Sequence, residues 1–315
     1  MGTRDRRPIL VVIGVLLLLV GLGAAFLGPV EMYCFYLFSE GGRFHYDGFG
    51  FGSFMFGNIA WQIVGYYLIA LVAIPLGYGH LRVRRWARTL SLTLLWFWRI
   101  VGLPLTVTFL FIALASKDIP LAGVIMMVIA LALSYLVLPG LLIRFYRSRD
   151  VRLTFQNRDP KSCWTESVPI PVLVLCALYV FTAILLHVPI FFNGLFPLFG
   201  TFLSGLDGIV ALDVAILVLL CLAWGTFKLR AWAWWGSLAY FVGLTTSALF
   251  TLGRSSYADI LSVLDFPPRE MEFLQGLPLH GVHFAVFIGI PLLATLGAIV
   301  RSKRHFTARG RVFRR

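Results

Sequence analysis

Charge is what this sequence has least of. Only 13% of its 315 residues are Asp, Glu, Lys or Arg, against ~25% in an ordinary soluble domain. With 59% hydrophobic residues and a mean hydropathy of +0.88, the chain cannot coat a water-facing surface of its own size. A soluble enzyme is excluded on that ground. A disordered chain is excluded as well, because disorder requires low hydrophobicity. Acidic residues are the scarcest, 14 against 27 basic. Those inside or beside apolar runs are Glu31, Asp207 and Asp213, too few for a multi-step proton relay.

Sequence motifs for catalysis are missing too. The four cysteines, Cys34, Cys163, Cys176 and Cys221, form no C-x-x-C pair, so neither a zinc site nor a redox motif is signalled. No P-loop, nucleophile elbow, aspartate-rich diphosphate motif, H-E-x-x-H or EF-hand loop occurs. Gly48, Gly50 and Gly52 alternate with phenylalanine in the stretch 44–56. They lack the following lysine and the strand–turn–helix setting of a phosphate loop, so an interfacial or re-entrant segment is predicted.

What the sequence does have is apolar length. Stretches long enough to span a bilayer lie at about 9–29, 54–78, 89–115, 119–146, 168–190, 208–226, 231–252 and 279–300. Helices satisfy the backbone in lipid, and the runs lack the alternation of a membrane barrel. The expected fold is an all-α integral membrane protein of eight transmembrane helices. The first run follows Arg4, Arg6 and Arg7 and extends 19 residues from Ile9 to Leu27. That exceeds the ~7–15 apolar residues of a signal-peptide core. An uncleaved first helix is expected, with cleavage near Gly23-Ala24-Ala25 as the alternative.

Basic residues orient the chain. With the N-terminus inside, 22 of the 27 fall inside and only Arg43, Lys117, Arg254 and Arg269 outside, Arg99 lying within a span. The positive-inside rule thus predicts both termini in the cytoplasm of a cell that carries the protein in its plasma membrane. The +13 net charge is then a topological signal. No nucleic-acid partner is expected, since no separate basic domain exists to meet a phosphate backbone.

An internal repeat is visible. YGHLRVRRWA at 78–87 matches WGTFKLRAWA at 224–233, pairing Gly79 with Gly225 and Trp86-Ala87 with Trp232-Ala233 at an offset of 146. Each is read as a tight turn, with glycine ending one helix and tryptophan anchoring the next. Two parallel four-helix repeats are expected, 1–146 and 168–315, joined by a basic cytoplasmic linker at 147–167. In the long outer loop 253–278, a short amphipathic helix near 256–265 competes with a plain acidic loop.

Polar residues inside the spans are the candidate ligand-binding groups. Arg99 lies about eleven residues past an inner loop, ~16 Å deep, where an arginine costs ~2.5–3.5 kcal/mol. Asp213 lies at the matching depth in the other half, so an ion pair across the repeat interface is expected. That pair could fix helix register or form a substrate or proton site. Asn58, Gln62 and Tyr66 share one face of the second span, as interhelical glue or as a conduit. Thr245, Thr246 and Ser247 admit the same two readings. His45, His187, His280 and His283 fall at the outer face. With Asp47 and Glu31 nearby they could bind a metal or haem, though no fixed ligand spacing supports it and no cofactor is predicted.

Three functions follow as expectations. The first is transport or binding of a small solute or lipid-like ligand at the interface between the repeats, around Arg99, Asp213, Asn58, Gln62 and Tyr66. The second is non-catalytic assembly with other membrane subunits. The third is a membrane enzyme or redox subunit with a metal at the outer histidines. An enzyme is the less expected outcome.

Overall fold

A computed structural model describes residues 5–46, 50, 52–115, 120–264, 266–276 and 279–312. Eight helices among them are long and apolar enough to cross a membrane, as the sequence predicts. They are α1 (Arg7–Phe38), α2 (Phe54–Leu81), α3 (Arg85–Ala115) and α4 (Leu121–Arg147), followed beyond the short α5 (Arg149–Arg158) by α6 (Ile170–Leu185), α7 (Gly205–Phe227) and α8 (Ala231–Arg254). Two short helices, α9 (Tyr257–Leu264) and α10 (Pro268–Gln275), precede the last span, α11 (Gly281–Val312). Asp47 lies outside the described residues, as does part of the 44–56 segment.

The chain forms two compact units. One comprises Met1–Leu92, Arg144–Ser167 and Phe266–Leu274; the other comprises Thr93–Ile143, Val168–Asp265 and Gln275–Arg315. This is a division by packing. Its boundaries differ from those of the two repeats read from the sequence.

In the first unit, α1 lies against α2 along a seam of small residues. Gly14, Gly21 and Gly28 recur every seven residues, the spacing that keeps one face turned to a neighbour. A Cβ on Gly21 would meet the Ile74 backbone nitrogen at 2.9 Å, and one on Gly77 the Leu18 nitrogen at 2.9 Å. Without side chains at these points the two backbones approach closely, and dispersion replaces the hydrophobic effect that lipid cannot supply.

The basic stretch 147–167, expected as a linker, is a docked element. Ser148 caps α5, its hydroxyl accepting from the Val151 N–H at 3.5 Å, and Val151, Thr154 and Phe155 are buried. Asp150 pairs with Arg6 at 3.4 Å, Asp159 with Arg84 at 3.6 Å and Glu166 with Arg85 at 2.6 Å. The sequence signal was present: a Ser cap, an acidic first turn and apolar positions at helical spacing.

In the second unit, α6, α7, α8 and α11 enclose the main core around Leu175, Tyr179, Leu219, Phe241 and Ile299. Trp96, Phe97, Ile100 and Val101 of α3 pack against it. A π-turn at Leu133–Val137 interrupts α4, and the Trp98 indole donates to the Ser134 carbonyl there at 3.2 Å. The all-α expectation misses one feature. The segment between α6 and α7 contains a hairpin, β1 (Phe196–Leu198) with β2 (Thr201–Leu203), antiparallel. Phe199 and Gly200 both take positive φ, 40° and 100°, as a two-residue hairpin turn demands.

The paired turns at 79–87 and 225–233 share one hydrogen-bond pattern. Arg84 N–H donates to Gly79 O at 2.8 Å and Val83 N–H to His80 O at 3.0 Å; Arg230 N–H donates to Gly225 O at 3.0 Å and Leu229 N–H to Thr226 O at 2.9 Å. This is the Schellman arrangement. Its left-handed residue is Val83 or Leu229, with φ 50° and 56°, where glycine is usual. The role of glycine read from the sequence is therefore corrected. Gly79 and Gly225 stand one turn earlier, where a Cβ would meet Ala87 at 2.7 Å and Ala233 at 2.7 Å. They admit the returning helix and do not end the outgoing one.

Candidate functional site

Asp213 occupies an exposed face in the middle of α7. It follows Gly205 by eight residues and precedes Phe227 by fourteen, which places it ~12 Å and ~21 Å from the helix ends. The opposite face, with Leu212, Ala215, Ile216 and Leu219, is buried against α6 and α8. Leu206, Val210, Asp213, Leu217, Leu220 and Trp224 step by four and three residues in strict alternation, and all are exposed. Leu206 is 80% exposed, Leu217 65% and Trp224 57%. A 4–3 alternation is the heptad seam through which one helix receives another. A single acidic side chain stands at its centre.

Arg99 does not meet Asp213 in an ion pair. Among the described residues neither group takes part in one. Arg99 is half-buried in α3, and its guanidinium lies 5.5 Å from the centre of the Trp96 ring one turn away. A cation over an indole face gains ~0.5–2 kcal/mol, which offsets part of its desolvation within its own helix.

The other candidates separate. On α2, Asn58 is exposed while Gln62 and Tyr66 are half-buried, and no side-chain hydrogen bond among the described residues involves them. On α8, Thr245 donates to the Phe241 carbonyl of its own helix at 2.6 Å. Ser247 instead receives the Phe199 N–H at 2.9 Å and donates to Pro197 O at 2.8 Å, and Thr251 receives the Gly200 N–H at 2.8 Å. These hydroxyls hold the hairpin tip on α8, a role that no periodicity within α8 could reveal.

His45, His187, His280 and His283 do not form one cluster among the described residues. Among the described residues no three His, Cys, Asp or Glu side chains come together as a metal-binding group. The His187 Nδ1 faces the Ala183 carbonyl at 2.9 Å, and His45 bonds the Glu40 carbonyl. His280 and His283 do share a face: their rings stack at 5.5 Å, and the His280 N–H donates to His283 Nδ1 at 2.8 Å. That bond engages His283 Nδ1 at the start of α11, where it serves as a cap.

Sequence reading missed two clusters. One is the His80–Tyr146 pair, fully buried, where the Tyr146 hydroxyl meets His80 Nε2 at 2.6 Å and Leu76 O accepts from Nδ1 at 2.7 Å. The other is the cavity lined by Arg147, Arg149 and Arg152, whose basic run is visible in the sequence but whose convergence is not. A lone histidine beside a basic turn gives no signal of its partner, because that partner lies 66 residues away.

Fold and site together define a multi-pass helical protein of a lipid bilayer. No family model matches the chain, and no curated protein or solved structure is significantly similar to it.

Proposed function

We propose that this protein is a non-catalytic assembly subunit of the cell membrane, and that α7 receives a helix of another membrane protein whose span carries a basic residue opposite Asp213. The observation that carries this reading is the exposed heptad seam with a carboxylate at its centre. A carboxylate near the bilayer midplane costs ~2.5–3.5 kcal/mol. A lysine, arginine or histidine on the incoming helix offsets that cost and sets its register, as a single polar core position does in a coiled coil. A second copy of this chain would instead bring two carboxylates together. The solute-binding alternative needs Arg99 and Asp213 at one site, and the cation–π contact of Arg99 with Trp96 favours assembly over it.

The reading extends to topology. Both termini are cytoplasmic in it, by the 22-to-4 partition of basic residues. The matching turns at 79–87 and 225–233 support duplication of a four-helix half. Across the same offset Arg88 and Trp234 each donate a side-chain N–H to a carbonyl of a later helix, Tyr146 O at 3.0 Å and Ile299 O at 2.9 Å. At the Asp213 position the first half carries Tyr67, which brings no charge to its own exposed face.

Photocrosslinking tests the reading. A photoreactive residue at Leu217 or Trp224, in native membranes, should yield an adduct with another membrane protein. The adduct should map to a span holding Lys, Arg or His. Asp213→Leu and Asp213→Lys should abolish it while the chain still inserts. Adducts with lipid alone, or with a second copy, would overturn the proposal.

A further inference from the structure

The fourth span ends in arginines. Arg144, Arg147, Arg149, Arg152 and Arg158 fall within fifteen residues that hold one carboxylate, Asp150. Asp150 is engaged by Arg6 at 3.4 Å, and Arg158 reaches Asp5 at 3.9 Å. Asp159 and Glu166, the next acidic residues, are held by Arg84 and Arg85. Among the described residues no carboxylate therefore answers Arg147, Arg149 or Arg152.

Those three side chains line one cavity of about 350 Å³, completed by Leu153 and Gln156. The volume falls within the ~300–1,000 Å³ usual for ligand sites. Arg152 is also close enough to Arg88 for the two charges to repel, which raises the local density of positive charge. Such a constellation attracts an anion with several oxygens. Guanidinium forks fit phosphate in a bidentate manner, and three of them surround one group better than three point charges would.

Position selects the source of that phosphate. Arg147 is the last residue of the span Leu121–Arg147, and α5 starts two residues later with Val151, Thr154 and Phe155 turned inward. The cavity thus stands where apolar helix gives way to polar chain, at headgroup depth. Leu153 adds an apolar wall beside the cations, as a glycerol backbone with acyl chains would require. We propose that this cavity binds the phosphate of an anionic membrane phospholipid. Basic residues directly beyond a span contribute roughly fivefold each to binding of anionic lipid.

The test is native mass spectrometry of the full chain in neutral detergent, titrated with phosphatidylglycerol, phosphatidylcholine or inorganic phosphate. Phosphatidylglycerol should bind at one-to-one stoichiometry and phosphatidylcholine should not. The triple variant Arg147→Gln/Arg149→Gln/Arg152→Gln should weaken that binding on the order of a hundredfold. The triple lysine variant should retain only part of it, because charge survives but the bidentate geometry does not. As a control for diffuse attraction, Arg301→Gln/Lys303→Gln/Arg304→Gln removes three charges elsewhere and should leave binding intact. Equal loss in that control, equal binding of phosphatidylcholine, or inorganic phosphate binding as tightly as the lipid would each overturn the proposal.

Discussion

The Glu270 carboxylate accepts the backbone N–H of Phe54 at 2.6 Å and that of Met55 at 3.3 Å, across more than two hundred residues of chain. Ser53 takes the Phe56 N–H at 2.9 Å. Three of the orphan donors that open α2 are thus satisfied, and the negative charge sits at the positive end of the helix dipole. Phe266–Leu274, which carries Glu270, is therefore a structural part of the first unit. Glu270→Ala should destabilise the folded protein by about 1 kcal/mol, read as a lowered midpoint in thermal unfolding in detergent. Glu270→Gln, which keeps an acceptor oxygen, should recover part of the loss.

Gly79 and Gly225 should respond alike to the same substitution. A Cβ at either would stand 2.7 Å from an alanine Cβ of the next helix, with the Trp86 or Trp232 ring at 2.8 and 2.6 Å. Gly79→Ala and Gly225→Ala should each cost ~1–3 kcal/mol through overpacking. Gly23, which faces open space, is the control and should tolerate alanine. Unfolding midpoints of the three variants decide the matter. Unequal responses at 79 and 225 would contradict equivalent turns.

Tyr146→Phe should be destabilising although it removes one oxygen atom only. His80 is fully buried, and its two ring nitrogens are matched by the Leu76 carbonyl and the Tyr146 hydroxyl. Those partners assign a neutral ring with the proton on Nδ1. Without the hydroxyl, Nε2 is left buried and unsatisfied, at a cost of ~1–3 kcal/mol. A double-mutant cycle with His80→Leu should recover most of that loss.

The start of α9 should loosen in acid. Ser256 and Asp259 form a reciprocal cap: the Asp259 carboxylate accepts the Ser256 N–H at 2.8 Å, and the Ser256 hydroxyl oxygen accepts the Asp259 N–H at 3.1 Å. Hydrogen bonds from the Ser256 side chain and then its backbone hold the Asp259 carboxyl below its ordinary value. A depressed folded pKa stabilises the helix above the unfolded pKa, and that stabilisation disappears as pH falls through the folded value. Hydrogen exchange of the α9 amides, corrected for its intrinsic pH dependence, should speed up as pH falls below the ordinary aspartate value of about 3.9. Asp259→Asn should abolish that dependence.

Much of the fold is legible in the sequence. Eight apolar stretches became eight helices because a backbone in lipid has no other way to pair its donors. Of the two readings of 256–265, an amphipathic helix or a plain acidic loop, the helix is the one found, as α9. The surroundings of the candidate histidines were less legible. A histidine shows its chemistry in the sequence but not which nitrogen a neighbouring carbonyl already occupies. The same holds for Ser247, whose hydroxyl serves a hairpin turn some fifty residues away.

Composition and the length of the apolar runs suffice to define a multi-pass helical membrane protein, since both act through solvation alone. Only tertiary structure decided which polar side chains are spent and which are open. His80 meets Tyr146 and Glu270 closes α2, each through a contact that chain separation does not encode, whereas Arg99 settles over Trp96 one turn away on its own helix. Asp213 is the reverse case. Its type and depth are visible in the sequence, but its place on an exposed seam depends on which face of α7 its neighbours cover. In lipid both faces of a helix are apolar, so close packing, and not hydrophobicity, chooses the one that is buried.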